Sequence, residues 1–337
     1  MNHADNPDRR RFCLNALGAA AGAALAPRMA GAQAADPFPG KPIRVVVPFP
    51  AGGFGDALMR QVGSLAAERL GQPMLIDNRP GVSGSLGAEI VVNAPPDGYT
   101  LLATLTASLA SSSVLYSKLR YDPAKDLVCV SELAMLYGAW VVSSSLPVHN
   151  VRELIDYSRA NPDKVSLGSL GYGSSGHILQ TLLNNKYGAR VLHVPYKGEA
   201  PIVQDLLGGQ INMAVLAGTH VQQHKPSGKL RCIGIQGVRR SPVAPDVPTV
   251  AEQGFHEETW SRESPFAVFA PRGTSAAVLQ RLSDAFKAAV GAPGVVKFLQ
   301  DGGIFGNGNS PAQAQASFEQ FYRVIRQSTA ATGVVLD

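Results

Sequence analysis

Ile43-Arg44-Val45-Val46-Val47-Pro48-Phe49-Pro50-Ala51-Gly52-Gly53-Phe54-Gly55-Asp56 reads as a buried strand, a Gly-rich turn and the opening of a helix. The β-branched run Ile43–Val47 suits a strand covered on both faces. Glycines let the backbone turn tightly and turn its N–H groups outward. The helix start adds unpaired donors and a positive partial charge, so the turn is suited to an anion such as a carboxylate or phosphate. Asp56 stands at the expected N-cap. Gly53 is placed where the loop must run close to a ligand, and a Cβ there is expected to intrude or to force an unfavourable backbone angle. No Lys-Ser or Lys-Thr follows the glycines, which excludes a P-loop.

Outward from this stretch the pattern alternates. Ala57–Leu70 reads as a helix, Met74–Asp77 as a strand, Ser85–Asn93 as a helix closed by the turn Pro95-Pro96-Asp97-Gly98, and Tyr99–Thr104 as a strand. The order predicts a mostly parallel sheet with helices on both faces. The rhythm restarts with strand Val165–Ser169, helix His177–Tyr187, strand Val191–Val194, helix Pro201–Leu207 and strand Ile211–Leu216. The extended stretch Leu127–Ser145, and strand Leu230–Gln236 followed by the turn-rich Ser241–Pro248, read as the two crossings between two α/β lobes. Residues 35–137 plus 237–337 then form one lobe and 138–236 the other. Helices at Ser275–Val290, Val295–Gln300 and Pro311–Ala331 complete the chain.

Gly171-Tyr172-Gly173-Ser174-Ser175-Gly176 is a literal G-x-G-x-x-G between strand and helix, the dinucleotide fingerprint. That fingerprint expects an acidic residue about 20 positions on, and none occurs between His177 and Gly198. A second anion-binding loop, built from backbone N–H groups and the hydroxyls of Ser169, Ser174 and Ser175, fits better. A tight turn without a ligand is the plain alternative. Tyr196-Lys197-Gly198 could add a hydroxyl and a cation near a cleft, or form a surface turn. His220-x-x-x-His224 has metal spacing but lacks the Glu of a zinc hydrolase and a third ligand, so a solvated helix face is expected. No G-x-S-x-G elbow exists. Net charge is +5 and scattered, which excludes a nucleic-acid face.

Arg9-Arg10-Arg11-Phe12 matches the twin-arginine export pattern. The mild apolar stretch Leu14–Ala26 and the small-residue site Ala32-Gln33-Ala34 follow it. A signal over residues 1–34, cleaved near Ala34/Ala35, predicts a soluble periplasmic protein. No stretch is long and apolar enough for a membrane span. Cys129 and Cys232 lie in apolar strand-like runs; buried free thiols are favoured over a bridge, which that compartment would permit.

Lys41–Gly53 as a whole resembles the opening of the Bug-type substrate-binding receptors of tripartite tricarboxylate transporters. So do Asp77-Asn78-Arg79-Pro80-Gly81, Pro96–Leu102, Tyr121-Asp122-Pro123, His193–Gly198 and Asp246–Glu252, in the family's order across almost the whole mature chain. The resemblance implies a two-lobed α/β periplasmic-binding-protein fold, type II-like, that closes over a small carboxylate held by backbone N–H groups and small hydroxyls of two loops. Those loops correspond to Pro48–Asp56 and Ser169–His177. The candidate ligand-binding residues are Phe49, Ala51, Gly52, Gly53, Phe54, Gly55 and Asp56, then Ser169, Gly173, Ser174, Ser175 and His177, with Tyr196. Three positions depart from the family pattern: Gly55 replaces Ser or Thr, Thr181 replaces Glu, and Leu216 replaces Asp. The cleft becomes less polar, and Phe54, Tyr172 and Trp140 could favour a bulkier or aromatic acid if they are not core. The reading is a monomeric receptor that delivers an organic acid to membrane permease subunits, without enzymatic activity, cofactor or metal. The alternative is an exported oxidoreductase with a dinucleotide at Gly171–Gly176.

Overall fold

The computed structural model describes residues 38–81, 84–196 and 198–336, with the backbone alone at 219 and 225. Residues 1–34, expected to form a signal, and Lys197 lie outside the described residues.

Two sheets form the frame. The first has strand order β11-β4-β10-β3-β1-β2, from β1 (Ile43–Val47), β2 (Met74–Asn78), β3 (Thr100–Leu105), β4 (Leu127–Leu136), β10 (Ser264–Pro271) and β11 (Phe305–Gly306). The second has the order β7-β6-β8-β5-β9, from β5 (Gly138–Ser143), β6 (Val165–Ser169), β7 (Val191–Pro195), β8 (Met213–Ala217) and β9 (Leu230–Ile235). Two parallel cores match the two βαβ series. Val45 registers with Ile76 and Leu101 in the first sheet, and Leu167 with His193 and Met213 in the second.

The expectation of mostly parallel sheets is corrected: both are mixed. β10 runs antiparallel to β3 and β4, and β5 antiparallel to β8 and β9. The reason is the chain path. Each crossing enters its new sheet beside a strand of opposite direction. Leu127–Ser145 is therefore two strands, broken at Tyr137. The return lies beside it, since Gln236 N–H donates to Gly138 O at 2.7 Å.

Alternation along the strands builds a core on each face of each sheet. Val45, Leu101 and Val268 point to one side of the first sheet, and Val46, Leu102 and Phe269 to the other. In the second sheet Trp140, Leu167 and Met213 oppose Val141, Ala214 and Leu216. Helices cover all four faces, among them Phe54–Leu70, Thr106–Leu115, Ser175–Tyr187, Ala276–Val290 and Pro311–Ala330. Gly71 ends the first of these at φ 73, the left-handed turn that spares glycine a Cβ clash. Helices Thr106–Leu115 and Val151–Ala160 are additions to the expected elements. The latter is set by Asn150, whose side chain accepts the Glu153 N–H.

Candidate functional site

The first loop leaves the carboxyl end of β1. Its N-cap is Gly53, not Asp56, and no side chain caps the helix. Asp56 sits three residues in, on the first turn, and reaches back so that Gly52 N–H donates to its Oδ2 at 2.9 Å. Arg60, one turn on, donates to the same oxygen at 3.1 Å. Its guanidinium also lies 2.9 Å from Oδ1, without the alignment of a hydrogen bond. Arg60 reaches Asn78 Oδ1, and Asn78 donates to Phe49 O at 3.1 Å. Hydrogen bonds from Arg60 and Gly52 hold the Asp56 carboxyl below its ordinary range. The Gly52 amide is thus consumed within the loop. Among the described residues the N–H groups of Gly53, Phe54 and Gly55 donate to nothing. These are the orphan donors of a helix start, and Ala51, Gly52 and Gly53 are exposed beside them.

Gly53 itself has ordinary extended backbone, φ −76, and a Cβ there would meet Pro50 O only at 3.5 Å. The expected backbone strain belongs to Gly52, at φ 83. The crowding belongs to Gly55, where a Cβ would stand 2.8 Å from Phe266 Cε2. Phe54 packs edge-on to Phe266 with centroids 5.8 Å apart and stacks on Phe298 at 6.2 Å. The Phe266 ring fills the space that a Ser or Thr at position 55 would need. Phe54 and the half-buried Phe49 both rest on the core of the first sheet.

The second loop leaves the carboxyl end of β6. Ser174 is the N-cap of helix Ser175–Tyr187 and accepts the His177 N–H at a long 3.5 Å. Its Oγ donates to Gly171 O at 2.6 Å. Ser169 Oγ accepts Gly171 N–H at 3.1 Å and lies 2.6 Å from His193 Nε2. Gly173 N–H donates to His177 Nδ1 at 3.0 Å, so the neutral His177 ring carries its proton on Nε2. The hydroxyls of Ser169 and Ser174 and the Gly173 amide are therefore used inside the loop, while Ser175 is exposed. Among the described residues the N–H groups of Ser175 and Gly176, at the helix start, have no acceptor.

Two imidazoles back this loop. His177 and His193 have ring centroids 4.6 Å apart, and exposed Tyr172 meets both edge-on at 5.2 and 5.3 Å. Burial lowers the pKa of His177. Burial, then the neighbouring His177, push that of His193 down to about 4. Both rings are neutral at neutral pH. His193 lies in one of the family-like segments, yet nothing in its spacing marks it as a support for Ser169.

Helix Thr106–Leu115 braces the second loop. Pro48 and Ser108 both pack at Gly84, within 3.5–4.0 Å of where a Cβ would stand. Ser111 Oγ donates to Gly173 O at 2.7 Å. Of the remaining candidates, Tyr196 donates its hydroxyl to Asp205 Oδ2 at 2.6 Å. Burial and Asp205 push its pKa up to about 12. Trp140 is core, fully buried and edge-on to Trp260 at 5.3 Å. Cys129 and Cys232 are free thiols. His220 and His224 stack with centroids 6.4 Å apart, and no group of three or more His, Cys, Asp or Glu able to hold a metal occurs among the described residues. Two surface cavities, about 460 Å³ beside Arg69 and Arg281 and about 240 Å³ beside Ser85 and Tyr116, include neither Gly-rich loop.

The G-x-G-x-x-G loop does not present an open face for a pyrophosphate. A Cβ on Gly173 would collide with Leu115 and come within 3.1 Å of Ser111 Cβ, so the middle glycine is roofed by helix Thr106–Leu115. Gly176 serves packing, 2.9 Å from Ser169 Cβ by the same measure.

Residues 58–329 match the tripartite tricarboxylate transporter family receptor. The chain belongs to this receptor family. It is 35% identical over 270 residues to the protein BugT of Bordetella pertussis, covering 80% of this chain and 82% of that one. Its fold is similar to that of the Rhodopseudomonas palustris protein Rpa4515, solved with adipate (TM-score 0.77, 31% identity, 89% of this chain and 100% of that one). It is also similar to MatC of the same organism, solved with bound malate (TM-score 0.75, 28% identity, 87% and 100%). The Bug-type two-lobed architecture is thereby established, and as a receptor of this family the chain is not an enzyme. The oxidoreductase alternative falls with it.

Proposed function

We propose that this receptor captures a small organic carboxylate between its lobes, residues 35–137 plus 237–337 and residues 138–236, and delivers it to the permease subunits of a tripartite transporter. The observation that supports this most is the pair of strand-to-helix loops. Each stands at the carboxyl end of a parallel strand, one per sheet, where ligands of open α/β sheets lie. Each keeps first-turn N–H groups without an internal partner while its side chains are spent on holding the loop. Such a site binds an anion through main-chain donors and the helix dipole. Closure of the two lobes on the carboxylate follows as a ligand-shifted equilibrium.

The adipate and malate in the two similar structures make short diacids the first ligands to test. A thermal-shift screen of organic acids on the mature protein is the direct experiment: a ligand at about 100 times its Kd stabilises by roughly 2.7 kcal/mol. Small-angle scattering should then show a smaller radius of gyration with ligand. A screen in which no acid raises the melting temperature refutes the reading. We also place the receptor in the periplasm as a monomer exported by the twin-arginine signal. Periplasmic protein should begin at or near Ala35, and an intact Met1 on it would overturn that address.

A further inference from the structure

The two Gly-rich loops differ in where their supports come from. Among the described residues, the side chains that brace the first loop belong to its own lobe: Asp56 and Arg60 on the helix that follows, Asn78 at the end of β2 and Phe266 on β10. The second loop is held partly from the opposite lobe. Ser111 and Leu115, on helix Thr106–Leu115 of the lobe 35–137, both meet Gly173, which lies in the lobe 138–236.

Ser111 Oγ donates to Gly173 O at 2.7 Å in a buried setting. Thr329 Oγ1, fully buried on helix Pro311–Ala330, lies 3.2 Å from the same hydroxyl and steadies it. The other polar group of Gly173, its N–H, goes to His177 Nδ1 at 3.0 Å. Residue 173 is thus fixed twice, once by its own helix and once by the opposite lobe. Holding the Gly173 carbonyl fixes the plane of the peptide shared with Ser174. Ser174 is the N-cap whose backbone leads into the Ser175 and Gly176 amides. Sterics act at the same point. Gly173 has φ 74, a left-handed conformation open to glycine. A Cβ there would strike Leu115 Cδ1 and come within 3.1 Å of Ser111 Cβ. Ile178, one turn into the loop's helix and 2% exposed, extends the contact, joining the core that holds Leu109, Phe321 and Ile325 on the first sheet.

We infer that Ser111 and Leu115 are positioning residues for the ligand: from the opposite lobe they set the backbone at residue 173, and the helix-start amides of the second loop are aligned only while this contact is made. The inference rests on the receptor reading and adds an order to it. The first loop is complete within its own lobe and can meet a carboxylate first. The second becomes a donor site as the lobes meet. Loss of the contact therefore acts on release of the acid more than on its capture.

Calorimetric titration and stopped-flow displacement on the mature protein test this, with adipate as titrant, or the tightest acid of the wider screen where adipate does not bind. Ser111→Ala should weaken binding at least fivefold, through faster release. Gly173→Ala should weaken it at least tenfold. Leu115→Ala opens the space that the new Cβ needs, so the double variant Gly173→Ala, Leu115→Ala should bind at least threefold more tightly than Gly173→Ala, although it has lost a buried leucine. Two independent structural losses would add instead. If Gly173→Ala fails to fold by thermal melt, the affinity and release rate of Ser111→Ala decide. Wild-type affinity in Ser111→Ala or in Gly173→Ala, a loss in Ser111→Ala carried by slower capture, or a double variant that binds no better than Gly173→Ala overturns the positioning role and leaves the receptor reading standing. A wild type that binds neither adipate nor any acid of the screen overturns the receptor reading as well.

Discussion

Acidification should loosen the second loop before the rest of the molecule. His193 is half-buried, and its pKa is lowered from 6.5 to about 4 by burial first and by His177 second. The rings face Tyr172, Ser169 and the Gly173 amide, and no carboxylate pairs with either of them among the described residues. Between about pH 4 and 6.5 the unfolded chain therefore binds a proton that the folded chain does not, and stability rises with pH across that window. The stabilisation is complete above 6.5 and is lost as pH falls toward 4. A gap of about 2.5 pKa units corresponds to roughly 3.4 kcal/mol at most, and partial solvent access reduces it to about 2 kcal/mol. For a chain of this size that is a fall of roughly 5 °C in melting temperature. The assay is a series of thermal melts from pH 7.5 to 4.5 on wild type and His193→Gln, which keeps a polar group near Ser169 but cannot titrate. Carboxylates elsewhere contribute equally to both proteins, so the difference in slope isolates the imidazole. Parallel curves between pH 6.5 and 5 would refute the reasoning.

Gly53→Val should leave stability within about 1 kcal/mol, because its backbone is ordinary, yet weaken carboxylate binding at least tenfold, about 1.4 kcal/mol, by crowding the open amides; chemical denaturation and calorimetry read the two effects separately. Gly55→Thr should destabilise by about 1–3 kcal/mol in urea, since its Cβ meets the Phe266 ring. Asp56→Ala leaves the Gly52 amide and Arg60 without their acceptor and should cost about 1–3 kcal/mol; the wild-type contribution is present above the ordinary carboxyl pKa of 3.8 and is lost as pH falls below it, because the folded value is the lower one.

The two βαβ series were legible because their strands are short β-branched runs bounded by turns and their helices carry apolar faces. β10 was not. Ser264-Pro265-Phe266-Ala267-Val268-Phe269-Ala270-Pro271 is buried on both faces of the first sheet, so it lacks alternation, and prolines at both ends resemble loop punctuation. Its antiparallel direction is set by the return crossing, which no local pattern encodes. Helix Thr106–Leu115 was hidden for the opposite reason: Thr106-Ala107-Ser108-Leu109-Ala110-Ser111-Ser112-Ser113 is rich in Ser and weak in apolar contrast, and tertiary packing under the second loop makes it a helix.

At the site, the locations of both loops were legible and their internal wiring was not. Glycines beside a strand end announce where donors gather, but which donors remain free depends on contacts between distant residues. Asp56 spends the Gly52 amide, and the Asp56–Arg60 spacing of four was the one local signal of it. His177 spends the Gly173 amide, Ser111 takes the Gly173 carbonyl from 62 positions away, and Phe266 occupies the room beside Gly55. The consequence is a division of labour in which side chains inside each loop shape it and the helix-start amides stay open. Recognition through such amides senses a carboxylate end but little else, so any finer choice among acids must come from side chains outside the loops.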